Sequence, residues 1–142
     1  MNQDDSHIVV QGPRCIVEYG VLDDGNSPAR DFLQNLQLKD RAQFVSTFIE
    51  VTERGIFGVH NEERFKSERC FWAAKNNRCS GGPEGRKRVR IVGFRRRDQA
   101  SGIDRLVLTH GFWKTRTPKW PESEFVRAEA IRDEIIARED RG

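Results

Sequence analysis

The chain has 142 residues, 33% of them charged and 36% hydrophobic, with a formal net charge of +3. That length suits one domain. No run approaches the ~20 apolar residues of a membrane span, which excludes a helical membrane protein, while nine Phe and three Trp supply one modest core. The N-terminus, MNQDDSHIVVQGP, has no basic stretch leading into a long apolar run, so no secretory signal is expected and the cytoplasm is the predicted compartment. Cys15, Cys70 and Cys79 are few, odd in number and irregularly spaced. Ordinary reduced thiols are expected, not a disulfide framework or a zinc site.

Charge is unevenly placed. Residues 64–119 hold sixteen of the 25 basic side chains and only four of the 22 acidic ones, a local excess of +12. A polyanion is the usual partner for such a field. The plainer alternative, arginines that merely solvate exposed strands, stays open.

In chain order, residues 1–12 look flexible and a domain is expected over 13–142. Cys15–Leu22 reads as a strand, rich in β-branched and aromatic residues. Asp23-Asp24-Gly25-Asn26 is a turn, after which Ser27 and Pro28 predict an N-cap and a first helical residue. Phe32, Leu33 and Leu36 line one face of that helix. A second helix over Lys39–Arg54 carries Phe44, Val45, Phe48 and Ile49, with Gly55 as its stop. Cys70–Ala74 predicts a strand, Arg78–Arg86 a loop around Ser80-Gly81-Gly82-Pro83, and Arg88–Phe94 a strand that alternates at its start. Asp98–Gly102 predicts a turn and Arg105–Trp113 the clearest strand. From Pro121 a last helix presents Phe125, Ala128, Ile131 and Ile135 on one side. The order β-α-α-β-β-β-α predicts an α+β fold: a helical hairpin on a mostly antiparallel twisted sheet, with a C-terminal helix.

Several segments together resemble a known family. DGNSPARDFL (Asp24–Leu33) is similar to the lead into the helical hairpin of phage-derived, HigB-like members of the RelE/ParE toxin superfamily. Leu36–Gly55 resembles that family's second helix. Leu106–Arg132 resembles its ending, with Phe112, Lys114, Pro121, Glu124 and Ala128 in the motif places. The resemblance covers roughly residues 15–138. The chain departs from the pattern at Thr115, which replaces a second lysine, and at Ala73-Ala74-Lys75, where the family has Glu-Leu-Arg. It also carries an extra loop, Asn76–Arg86.

The resemblance implies a toxin of a type II toxin–antitoxin pair with a RelE-like fold. It implies no cofactor, an antitoxin protein as partner, and mRNA on the ribosome together with rRNA as target. Cleavage would proceed by attack of the RNA 2′-OH on its own phosphate, which needs a base, cations around the phosphorane and an acid for the leaving oxygen. A ParE-like gyrase blocker and a non-catalytic RNA-binding phage-type protein stand as alternatives.

Alternation puts Val89 and Ile91 on one strand face and Arg88 and Arg90 on the other, where guanidinium forks could hold a phosphate. Arg88, Arg90, Lys75, Lys114 and His110 are the candidate catalytic residues; no metal ligands are expected. His110 has a suitable unperturbed pKa, yet it shares parity with Leu106, Leu108 and Phe112, which favours a hydrogen-bonded core histidine. Lys66, Arg69, Arg95, Arg96, Arg97 and Arg116 are candidate RNA contacts, with Trp113 and Trp120 as base-stacking platforms.

Overall fold

Local chemistry starts and stops the helical hairpin. In the computed structural model, which describes residues 7–98 and 101–141, helix α1 spans Pro28–Gln34 and helix α2 spans Leu38–Arg54. Pro28 opens α1 because its fixed φ suits a first turn. The Ser27 hydroxyl does not cap it: the side chain is buried without a hydrogen bond, and only the Ser27 carbonyl engages, accepting the Asp31 N–H at 3.0 Å. Gly55 ends α2 at φ +87°, a conformation that disfavours side chains, with its N–H on the Val51 carbonyl at 2.8 Å. Phe44 and Phe48 are buried as expected. Ile49 is 42% exposed, because the buried stripe continues through Val51 at i+7 from Phe44.

Six strands form one sheet: β1 (Ile8–Gln11), β2 (Cys15–Tyr19), β3 (Phe65–Glu68), β4 (Phe71–Asn76), β5 (Arg88–Arg97) and β6 (Asp104–Lys114). Their spatial order is β1-β2-β6-β5-β4-β3. Four of the neighbouring pairs are antiparallel and β2–β6 is parallel. Helix α3 (Glu122–Arg141) follows. The α+β class and all three helices match expectation, but the sheet is mixed and two strands larger than predicted.

Both extra strands correct specific expectations. Residues 8–11, expected to be flexible, pair with β2; residues 1–6 lie outside the described residues. Lys66, outside every predicted strand, lies in β3, which pairs with β4 through a tight turn at Arg69 (φ +56°). Strand β4 also runs two residues past Ala74, and the strand expected over Cys15–Leu22 ends at Tyr19. The Asp98–Gly102 turn closes with Asp98 N–H to the Ile103 carbonyl at 2.9 Å and Gly102 N–H to the Asp98 carbonyl at 2.7 Å; residues 99–100 lie outside the described residues.

Each sheet face has its own core. The hairpin covers Val17, Phe65, Ala74, Val89, Ile91, Leu106 and Leu108. Gly111 lets Phe32 seat there, since a Cβ would lie 2.4 Å from Phe32 Cδ1. Helix α3 covers the other face through Phe125, Ala128, Ile131 and Ile135 against Phe71, Val92, Phe94, Val107 and Phe112. One irregularity sets how β6 is shared. Val92 pairs with His110 and Gly93 with Leu108, leaving Thr109 as the extra residue of a β-bulge. The bulge reverses the side-chain parity of β6. Leu106 and Leu108 face the hairpin, whereas Phe112 joins the α3 core.

No described helix is long and apolar enough to cross a membrane.

Candidate nucleic-acid interface

Strand registry gathers the basic residues that lie far apart in the chain. Lys75 of β4 stands opposite Arg90 of β5, and Arg88 of β5 stands opposite Lys114 of β6. Period-2 alternation, with the bulge at Thr109, turns all four toward the α3 side of the sheet. Lys66, two strands from Arg90, completes the group. Lys66, Lys75, Arg90 and Lys114 line one cavity of about 80 Å³, closed by Pro118 and Trp120. Helix α3 packs farther along the sheet, so at this end only the loop of residues 115–121 lies above the cations.

Lys66 pairs with Glu68 at 3.6 Å, but the other four cations lack such a partner. Among the described residues, Lys75, Arg88, Arg90 and Lys114 form no ion pair with a carboxylate. Lys75 Nζ donates to the Glu62 carbonyl at 3.0 Å. Arg90 Nη1 donates to Asn77 Oδ1 at 2.8 Å and to the Val89 carbonyl at 3.0 Å. Lys114 Nζ donates to the carbonyls of Thr115, at 3.2 Å, and Thr117. Burial pushes the Lys75 ammonium below its usual range, with the Arg90 and Lys66 charges adding to the effect. Burial, then Arg90 and Arg88, does the same to Lys114. Arg90 is pushed down to about 10 by burial and by the Arg88 guanidinium. Four like charges crowded together, with Glu68 the one carboxylate lining their cavity, make a site that favours an incoming anion.

Arg90 corrects one expectation. It lies on the predicted face, opposite the buried Val89 and Ile91, but it is 6% exposed rather than open to solvent. Lys114 is equally buried. The covering loop, which strand periodicity cannot report, accounts for both. Arg88 is half-buried.

Two further openings continue the basic surface. A cleft of about 680 Å³ shares Lys75 and Arg88 and adds Arg64 and Arg78. A third opening shares Arg88 and Lys114 and adds Arg86, Lys87 and the exposed Arg116. The groove therefore includes Arg64, Arg78, Arg86 and Lys87, four basic residues that sequence patterns had not singled out. It also includes Glu68, the one carboxylate lining the small cavity, 3.6 Å from Lys66. The +12 segment was the available signal for the first four. Glu68 could be found only once β3 was known to be a strand.

Other candidates lie elsewhere. His110 is fully buried and lines none of these openings. Its Nδ1 lies 3.1 Å from Thr109 Oγ1 and its Nε2 3.1 Å from Glu124 Oε1. Burial, with help from the Arg127 charge, pushes its pKa down to about 3, so the ring is neutral. Burial raises that of Glu124. This is a hydrogen-bonded core histidine, not an accessible acid or base. Trp120 is 7% exposed, stacked on Phe125 with centroids 4.7 Å apart, and cannot offer a face to a base. Trp113 packs against Phe32 and under Gly82, where a Cβ would lie 2.6 Å from the indole.

Arg69 makes a two-pronged contact with Glu122 at 2.8 and 2.7 Å and lies over the Phe125 ring, tying the β3–β4 turn to α3. Arg95, Arg96 and Arg97 occupy the other end of β5, roughly 25 Å from Arg88 by strand rise. Arg95 pairs with Asp104 at 3.0 Å, and Arg96 with Glu139 at 2.7 Å and Asp140 at 2.9 Å. Among the described residues no three His, Cys, Asp or Glu side chains come together as metal ligands.

Compared with known proteins, the chain matches no family model, no curated protein and no solved structure.

Proposed function

We propose that this protein is a toxin-type endoribonuclease that cuts mRNA on the ribosome, with the Lys75–Arg88–Arg90–Lys114 cluster holding the scissile phosphate. One observation carries the proposal: four cations from three adjacent strands converge without a carboxylate partner. The sequence resemblance to the RelE/ParE superfamily supplies the reaction and target. An ion pair would have satisfied these charges internally; their unmatched state suits a phosphodiester.

The chemistry follows from placement. Arg88 and Arg90 lie on the central strand and bear the charge of the phosphorane. Lys75 and Lys114 flank them on the strands to either side, roughly 10 Å apart by strand spacing. That suits an in-line displacement, whose attacking and leaving oxygens lie on opposite sides of phosphorus. The O2′–P bond forms and the P–O5′ bond breaks. Lys75, whose pKa burial lowers, serves as the base that takes the 2′-OH proton, and Lys114 as the acid that gives one to the leaving O5′. The products are a 2′,3′-cyclic phosphate and a 5′-hydroxyl. Residues 115–121 must lift for this to occur, because two of their carbonyls occupy Lys114.

A partner antitoxin would silence the free protein by laying an acidic segment in the groove. Purified protein mixed with mRNA-programmed ribosomes should yield fragments ending in 2′,3′-cyclic phosphate, including in EDTA at levels that leave ribosomes intact. Binding to those ribosomes with no cut product would reassign the cluster to non-catalytic RNA binding.

A further inference from the structure

We propose that the cleft beside Lys75 and Arg88 reads a guanine base on the nucleotide whose phosphate those two cations hold. The inference rests on the phosphate-binding role given above and adds base selectivity to it. The cleft is large enough for a nucleoside, at about 680 Å³, and it opens directly off the cationic cluster.

The hydrogen-bonding capacity of its walls is one-sided. Its amide oxygens are engaged within the protein. Gln43 Oε1 accepts from Asn76 Nδ2 at 2.7 Å, Asn61 Oδ1 from the Glu63 N–H at 3.1 Å, and Asn77 Oδ1 from Arg90 at 2.8 Å. Their NH2 groups, and the guanidinium groups of Arg78 and Arg88, have no partner among the described residues. The amide and guanidinium walls therefore present free donors. Against them stands one carboxylate, Glu63, exposed and without an ion pair among the described residues.

Of the four RNA bases, guanine matches that set. Its N1–H and N2–H2 are adjacent donors that a carboxylate accepts as a pair. Its O6 and N7 are adjacent acceptors that an arginine fork or two amide NH2 groups satisfy. Adenine and cytosine put an acceptor nitrogen beside their amino group, which a carboxylate repels. Uracil has one N–H between two acceptors.

The test is titration of the full chain with 3′-GMP, 3′-AMP, 3′-CMP, 3′-UMP and inorganic phosphate, followed by NMR. We expect 3′-GMP to bind about ten- to a hundredfold more tightly than 3′-AMP, the discrimination of one good bidentate base contact. Glu63→Gln should reduce that ratio to about threefold or less, since the charge and one acceptor oxygen are lost. Arg88→Ala should weaken phosphate and every nucleotide alike. Equal affinity for the four nucleotides overturns guanine selection and leaves the phosphate site standing. A ratio that survives Glu63→Gln overturns the role of Glu63. Failure of phosphate and of every nucleotide to bind overturns the cationic site itself.

Discussion

The two ends of β5 carry the same kind of residue to opposite ends. At one, Arg88 and Arg90 meet Lys75 and Lys114, and none of the four forms an ion pair among the described residues. At the other, Arg95 and Arg96 meet Asp104, Glu139 and Asp140, and the neighbouring Arg105 joins Glu18 and Glu139. The difference separates arginines whose charge the fold itself neutralises from arginines whose charge it leaves unmatched. A guanidinium surrounded by its own carboxylates has little left to offer a phosphate. One surrounded by other cations is destabilised until an anion arrives. Two of these acids, Glu139 and Asp140, come from the last turn of α3, more than forty residues from Arg96, while Asp104 comes from β6 and Glu18 from β2.

The strongest way to break this comparison is at the paired end. Arg105 bridges α3 to Glu18, which is 6% exposed. Arg105→Ala leaves that buried carboxylate with the His7 imidazole at 3.4 Å as its remaining partner, and should destabilise the protein by about 3 kcal/mol in urea unfolding. A loss below about 1 kcal/mol would mean that the network is only surface decoration.

At the unpaired end the proposed function puts the cost on RNA cleavage. Arg88→Ala should slow single-turnover cleavage on saturating ribosomes about a hundredfold, near 3 kcal/mol of activation free energy. Arg96→Ala should change the rate little. Equal small losses in both variants would make the whole strand a docking surface.

Between the two ends, the seam at His110 predicts a pH response. Its folded pKa, about 3, lies below the unfolded value near 6.5, so the unfolded chain binds the extra proton first. Stability from this group is complete above the unfolded value and drains away as pH falls toward the folded one. The loss should be about 3 kcal/mol between roughly pH 7 and pH 4. A His110→Gln variant should flatten that part of the curve; an unchanged slope would assign it to carboxylates instead.

The smallest effect should have the opposite sign to the first. Arg90→Met replaces a buried, repelled cation with apolar volume, and should raise stability by about 1–2 kcal/mol while abolishing most cleavage. A lower melting temperature would show that the bonds to Asn77 and the Val89 carbonyl outweigh the repulsion.

Much of the fold was legible because its signals are local. Pro28 and Gly55 mark helix ends by their own backbone preferences, and Phe44 with Phe48 marks a buried face by spacing alone. Strand β3 has no comparable signal: Phe65-Lys66-Ser67-Glu68 holds one apolar residue, and only pairing with β4 makes it a strand. For the site, Lys75, Arg88, Arg90 and Lys114 were legible as basic residues near strand ends. Trp120 was misjudged, and His110, rightly read as a hydrogen-bonded core histidine, was put on the same face as Leu106 and Leu108, for related reasons. One bulged residue, Thr109, and one covering loop decide what reaches solvent, and neither leaves a period in the sequence.

The sequence by itself determined the three helices, four of the six strands, the hairpin-facing side of β5 and the concentration of positive charge in residues 64–119. Those follow from side-chain periodicity, turn chemistry and composition, which act over a few residues at a time. Tertiary structure alone decided which cations stay unpaired, that the loop of residues 115–121 closes over Arg90 and Lys114, and that β2 and β6 join in parallel. Those outcomes depend on strand registry and on acids delivered by a distant helix, and long-range packing is where such choices are made.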